Sequence, residues 1–183
     1  MILYLQLSTD SVGKLLCLTN QAIQRTLKDL HAILVILKNS SHLLRLHHPS
    51  FRDFFLDDRR CTNADLYVNE KQAHRQLYIK CIRLISDTLK QDICGLGAPD
   101  TVLADVAGSH VEQYLPPELQ YACLYWVQHL HKSNSQISDN DNVCQFLQTH
   151  LLHWLEALSC MQKISEGIHA IISLEPITLV SLC

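Results

Sequence analysis

NVCQFLQTHLLHWLEALSCM, residues 142–161, decides the fold class. Val143, Phe146, Leu147, Leu151, Trp154, Leu155 and Leu158 recur at three- and four-residue intervals, the spacing of one face of a helix packed on a core. Working outward, a weaker helix covers Ile164–Leu174 before Pro176 stops it, and residues 176–183 form an unassigned tail. Upstream, Ser133–Asn140 is a polar link, and Pro116-Pro117 opens a helix reaching about Lys132, proline suiting a first turn. Gln91–Gly108 holds Gly95, Gly97, Pro99 and Gly108 and reads as a loop with at most one helical turn. Before it, Asn69 caps a long helix, about Glu70–Leu89, with Ala73, Leu77, Cys81, Leu84, Ile85 and Leu89 on its apolar stripe. These segments define a helical bundle at 65–175, preceded by a polar connector, Arg59–Leu66.

The composition agrees. Of 183 residues, 48% are apolar and 18% charged, which excludes a disordered chain. Leucine occurs 32 times against 5 Gly and 5 Pro, too little turn punctuation for a β-sandwich or barrel. The net charge is −3 and the pI about 6.4, so no basic field draws in nucleic acid or anionic lipid. Cysteines at 17, 61, 81, 94, 123, 144, 160 and 183 contain no CxxC, which excludes a zinc ribbon. Dispersed thiols of this kind read as reduced and mostly buried, in a cytosolic or nuclear protein, with the cytoplasm as the expected localisation. The apolar start, MILYLQL, lacks a basic n-region, and no run approaches the ~18 residues of a membrane span.

Residues 1–58 read differently. Thr9-Asp10 precede a short helix, Ser11–Cys17, and Thr19 caps a second, Asn20 to about Ala32, with Ile23, Leu27, Leu30 and Leu34 at helical spacing. Two β-like runs, Ile33–Leu37 and Leu43–His47, flank Lys38-Asn39-Ser40-Ser41 and favour a hairpin. A short helix follows, with Ser50 as N-cap, Asp53 at the third position, and a face of Phe51, Phe54 and Phe55. Helix, turn, helix, hairpin is the order of a winged helix. The expected fold is therefore mainly α: a truncated winged helix with a small β-hairpin at 1–58, followed by an α-helical bundle at 65–175.

Seven short stretches also resemble one family. LKDLHAIL (27–34) and HHPSFRDFFLD (47–57) are similar to the "LHSVL … LHLSFRDFL" pattern of fungal NACHT proteins, the NLR-like STAND ATPases that include the vegetative-incompatibility proteins. EKQAH (70–74), CIRLI (81–85), LKQDICGL (89–96), LPPELQYACLYWVQHL (115–130) and FLQTHLLHWLEALS (146–159) continue in the same order. The resemblance runs from about residue 7 to residue 172. It implies the region just after the nucleotide-binding core: a winged helix that folds over ADP in the resting state, then a helical domain leading to a C-terminal repeat sensor. The partners it implies are a NACHT nucleotide-binding domain, in cis or in trans, and that repeat sensor. The implied process is innate-immunity or heterokaryon-incompatibility signalling.

The departures bound this reading. No GxxxxGK[ST] occurs; the only Gly-Lys is Gly13-Lys14, followed by leucines. A P-loop needs successive backbone amides around the phosphates and a hydroxyl on Mg²⁺. The expectation is a non-catalytic regulatory fragment with no cofactor of its own, meeting ADP or ATP only in a full-length context. The opening strand and helix of the winged helix are expected to be clipped. A standalone interaction module or a decayed paralogue is the alternative. In the resemblance His48, three residues before Phe51, takes the place of a histidine that reaches the ADP phosphate, with His47 beside it as the competing register. An imidazole N–H beside a helix start suits an anion, whereas a histidine before Pro49 also serves as a plain extended connector.

Other residue groups read as structure. His129 and His131, or His150 and His153 with Glu156 one turn on, do not supply the three or four ligands of a closed zinc site, and HExxH is absent. Trp126, Trp154, Tyr121, Tyr125 and Phe146 fall at helical spacing and read as a core between two helices. Cys123 and His129 sit on different faces of one helix and make no nucleophile pair. A winged helix raises DNA binding, but Arg25 and Lys28 on the second helix, with Lys38 and Arg45 on the wing, are too few to neutralise phosphates. No nucleic-acid or membrane partner is expected.

Overall fold

Apolar stripes on two long helices set the centre of the molecule. In the computed structural model, which describes residues 3–30, 33–35, 45–95, 108–137 and 142–174, the described residues form eight helices and one short strand pair. In chain order these are α1 (Thr9–Leu16), α2 (Asn20–Asp29), β1 (Leu34–Val35), β2 (Arg45–Leu46), α3 (Ser50–Leu56) and α4 (Glu70–Thr88). Then come α5 (Gly108–Tyr114), α6 (Pro117–Ser133), α7 (Asn142–Cys160) and α8 (Ile164–Leu174). The molecule is mainly helical.

The most extensive packing is between α4 and α6. Asn69 caps α4 as expected, its Oδ1 accepting the Gln72 N–H at 3.0 Å. Pro117 starts α6, and Asn134, at φ 55°, closes it in the left-handed region that asparagine tolerates. Between the two helices lie Leu77, Cys81, Ile82 and Ile85 against Leu119, Ala122, Cys123, Trp126 and Leu130, all buried. The buried stripe of α4 is rotated from the expected one: His74, Tyr78 and Ile82 turn inward, while Ala73 and Leu84 are half-buried. Helix α7 closes the core from a second side. The rings of Trp126 and Trp154 meet edge-on at 5.5 Å, and Phe146 meets Trp126 at 5.4 Å. The Trp154 indole N–H donates to the Cys123 carbonyl at 2.9 Å, so the expected aromatic core between these helices is what the fold contains.

Helix α1 lies on this same core. Leu7 and Leu15 are buried in one continuous apolar cluster with α4, α6 and α7. Lys14 Nζ reaches Glu118 Oε1 at 2.8 Å in the first turn of α6. Burial alone would raise the Glu118 pKa, but hydrogen bonds from Lys14 and Ser11 outweigh it and hold the carboxyl below its usual value. Gly13 sits where α1 meets α2, and a Cβ there would run into the Ile23 side chain.

Several boundaries differ from expectation. Ser8, not Thr9-Asp10, caps α1: its Oγ accepts the Ser11 N–H at 3.1 Å, so the helix starts at Thr9. Ser50 is not an N-cap, because Pro49 already has helical angles (φ −57°, ψ −31°) and makes Ser50 the first turn. Helix α5 was not foreseen; its seven residues offer Val111 as an apolar anchor, too weak a pattern to signal a helix. The winged-helix hairpin is not shown. What is seen is a two-residue antiparallel ladder, Leu34 opposite Leu46 and Val35 opposite Arg45, and the expected turn around Lys38–Ser41 lies outside the described residues. The tail 176–183 lies outside them too.

Trp154→Ala empties a site that is 1% exposed and frees a buried carbonyl. The expected loss is about 3–5 kcal/mol of unfolding free energy, read by denaturant titration. An unchanged midpoint would place Trp154 at a surface.

Candidate functional site

The chain enters α3 from β2 through His47, His48 and Pro49. His47 extends the strand ladder, its backbone N–H donating to the Ile33 carbonyl at 2.8 Å. The His48 ring turns back onto the helix start: Nδ1 accepts the Ser50 backbone N–H at 3.2 Å and lies 2.8 Å from Ser50 Oγ. With Nδ1 engaged as an acceptor, a neutral ring carries its proton on Nε2. Both histidines are exposed. Arg52, one turn into α3, pairs with Glu70 at 3.2 Å and Asp53 at 3.8 Å. The expected site residue thus has a fixed ring with one N–H to offer. That fits a single phosphate contact, not a phosphate cradle.

The histidines weighed as metal ligands are dispersed. His131 is exposed on α6, while His129 is fully buried. The His150 and His153 rings lie 5.7 Å apart on α7, but Glu156 is committed elsewhere, accepting the Ile93 N–H at 3.1 Å. Among the described residues no group of three or more His, Cys, Asp or Glu side chains could hold a metal ion.

Sequence reasoning missed the most unusual polar feature, a hydrogen-bonded chain through the α4–α6 seam. The Tyr4 N–H donates to Tyr121 Oη at 3.3 Å. Tyr121 Oη lies 2.6 Å from His129 Nε2, and His129 Nδ1 lies 2.7 Å from His74 Nδ1. The directions follow by elimination. The Tyr121 oxygen already accepts from Tyr4, so satisfying its own proton requires donation to His129 Nε2. A neutral His129 then carries its proton on Nδ1 and donates to His74 Nδ1, leaving the His74 Nε2–H facing Glu70 Oε1 at 3.8 Å. The Tyr4 ring covers this array, stacked on Tyr125 at 5.5 Å and tilted on His129 at 4.9 Å.

Burial governs the electrostatics here. It pushes the His129 pKa down to about 3, with the neighbouring His74 adding to the effect. Burial also lowers His74, helped by Lys132 and Arg52 and opposed by Glu70. Two adjacent imidazoles in a dry seam stay neutral. A sequence signal existed in part: Tyr121 and His129 are eight apart on one helix and share a face. Nothing on α4 marked His74 as its partner.

Two recesses flank the bundle. An apolar cleft of about 250 Å³ lies between α1, α3 and α4, lined by Val12, Leu15, Leu16, Phe55, Leu56 and Leu77. A more polar groove of about 390 Å³ separates α4 from α7, with Arg83, Asp87, Asn142 and His150 in its walls. Helix α8 presents exposed Ile164, Ile168, Ile171 and Ile172. No helix among the described residues is long and apolar enough to cross a membrane.

No family model matches the chain, and no solved structure matches it. Among curated proteins it is similar to the vegetative incompatibility protein HET-E-1 of Podospora anserina, with 26% identity over 173 residues that cover 85% of this chain. The chain spans about 12% of that protein's length. The likeness supports a relation to fungal NLR-like proteins of the vegetative-incompatibility kind.

Because the folded pKa values of His74 and His129 lie below the ordinary ~6.5, the unfolded chain binds protons first as pH falls. Stability is therefore full above about pH 6.5 and declines below it, with a slope of up to about 1.4 kcal/mol per pH unit for each imidazole. Melting points between pH 7.5 and 5.5, where Asp and Glu remain ionised, are expected to fall with pH. A flat profile over that window would mean the imidazoles are not held neutral.

Proposed function

We propose that this chain is a non-catalytic regulatory segment of a fungal NACHT/NLR-like signal-transducing NTPase, holding and relaying an ADP/ATP switch in the cytoplasm. The observation that carries the reading is the similarity to a vegetative incompatibility protein along 85% of the chain. The collinear motifs at 27–34, 47–57, 70–74, 81–85, 89–96, 115–130 and 146–159 support the same assignment. In this reading residues 1–58 are a winged-helix-like unit lying against a NACHT nucleotide-binding domain, in cis or in trans. His48 donates its Nε2–H to a phosphate of ADP held by that domain, while His47 serves the strand ladder. The nucleotide and all its chemistry belong to the NTPase core. Lys14, the only lysine after a glycine, is engaged by Glu118 and is no P-loop lysine.

The mechanical part of the proposal rests on α1. Its Leu15 and Lys14 are anchored in the core and first turn of α6, so a displacement of the first unit loads α4 and α6 directly. The far end of the bundle, α7 and α8, then faces the C-terminal repeat sensor of the full-length relatives. The Ile164, Ile168, Ile171 and Ile172 stripe, with Leu152 at 77% exposure, also favours the second reading, a protein-interaction module acting by itself.

The test joins this chain to a NACHT core from a relative and measures ADP retained after purification. His48→Ala is expected to lower occupancy roughly tenfold, the worth of one hydrogen bond to an anion, and His47→Ala to leave it unchanged. Equal ADP content in the wild type and His48→Ala would remove the phosphate contact. ATP hydrolysis by the chain alone would overturn the non-catalytic assignment.

A further inference from the structure

Helix α3 is loosely seated. None of its residues is buried, and the apolar cleft of about 250 Å³ lies between it, α1 and α4. An ion pair ties it to α4, with Arg52 Nη2 donating to Glu70 Oε1 at 3.2 Å. The same carboxylate oxygen lies 3.8 Å from His74 Nε2. One carboxylate thus faces a guanidinium on α3 and an imidazole in the α4–α6 seam. Glu70 is the first residue of α4, where the helix start favours its charge. Its side chain is 46% exposed and that of His74 only 3%, so the junction links a solvent-facing contact to a buried one.

The buried array behind this junction has two proton arrangements. In the neutral one Tyr121 donates to His129 Nε2, His129 donates from Nδ1 to His74 Nδ1, and His74 turns its Nε2–H to Glu70. One proton taken from solvent reverses both imidazole bonds. His74 then carries protons on both nitrogens and donates from Nδ1 to His129 Nδ1. His129 carries its proton on Nε2 and donates it to Tyr121 Oη. That oxygen now receives two donors, the imidazole and the Tyr4 backbone N–H at 3.3 Å. Its own proton has lost its acceptor. A buried hydroxyl in that position is costly, and the longest bond of the set, the one to Tyr4, is the one that yields.

The groups around His74 set the balance. Glu70 on the same helix favours the added proton, whereas Lys132 from α6 and Arg52 from α3 oppose it. His129, kept neutral by burial, is the acceptor, and the Tyr4 hydroxyl stays protonated because burial and Glu70 both raise its pKa. We propose that Glu70 is a shared carboxylate through which the seating of α3 sets the proton load of the His74–His129 pair, and through that pair the hold of the bundle on Tyr4. While Arg52 is in place, its charge opposes a positive charge on His74, and its hydrogen bond occupies Oε1. When α3 lifts away, both oppositions go, and Glu70 is left to stabilise the imidazolium. His74 gains a proton, the array reverses, and Tyr4 loses its acceptor. Whatever lifts α3 operates the device, so it stands apart from the phosphate contact proposed for His48.

The experiment follows the His74 ring nitrogens and the Tyr4 amide of the full chain by NMR from pH 7.5 to 4.5. Arg52→Gln is expected to raise the His74 midpoint by about half a pH unit, or about threefold in proton affinity, the half-exposed pair being screened by solvent. Arg52→Lys keeps the charge and is expected to stay near the wild type. Glu70→Gln is expected to lower the midpoint by a similar amount. The opposite signs decide the matter, because a general loosening of the seam exposes the ring and moves both variants upward toward ~6.5. The Tyr4 amide is expected to shift with the His74 midpoint in each of these proteins, and Tyr121→Phe to break that link while His74 still titrates. An unchanged midpoint in Arg52→Gln, or an upward shift in Glu70→Gln, would overturn the coupling. A Tyr4 amide that ignores the His74 midpoint would overturn the hold on the N-terminal segment.

Discussion

Two neutral imidazoles share one hydrogen bond in the seam between α4 and α6, and the rest of the structure is arranged around keeping them dry. His129 has no exposed surface and His74 is 3% exposed, so each polar ring atom must be satisfied inside the protein. Tyr121 satisfies one end and Glu70 faces the other, while the Tyr4 ring covers the top. A charge on either ring would face its neighbour across 2.7 Å. The seam therefore fixes the relative rotation of α4 and α6 more narrowly than apolar packing does, because a shift that breaks one bond strands two buried groups.

That constraint also explains why the N-terminal segment is part of the same body. Tyr4 contributes both a backbone donor and a ring to the seam, Leu7 and Leu15 extend the apolar cluster, and Lys14 reaches Glu118. Tyr4 and Lys14 both reach α6, and the two leucines join the core that α6 shares with α4. The relay proposed above would run through this shared core, since independent units joined by a flexible connector transmit little. The exposed His48 at the start of α3 and the exposed isoleucines of α8 lie outside this shared core, where a partner could reach them.

Much of this was legible in the sequence, for identifiable reasons. The stripe from Val143 to Leu158 has helical period, the Pro116-Pro117 step has a helix-start signature, and Asn69 and Thr19 are caps whose bonds the structure contains. The rotation of α4 was not legible, because Ala73 and Leu84 looked more apolar than His74. Only a partner on another helix turns that histidine inward. The start of α3 was misjudged by one residue because Pro49 accepts helical angles as readily as an extended position. Helix α5 carried too few apolar residues to declare itself. The fixed ring of His48 depends on a local bond to Ser50 that no periodicity encodes.

The claim on which this account turns is that His74 and His129 are held neutral with a defined proton placement. The direct measurement is ¹⁵N NMR of the imidazole nitrogens across pH 7.5 to 5.0. The expected result is that His129 stays neutral throughout with its proton on Nδ1, while His74 titrates below the ordinary histidine value and carries its proton on Nε2 when neutral. Titration of either ring near the ordinary value of about 6.5 would contradict it, and with it the reading of the α4–α6 seam as the fixed element of the fold.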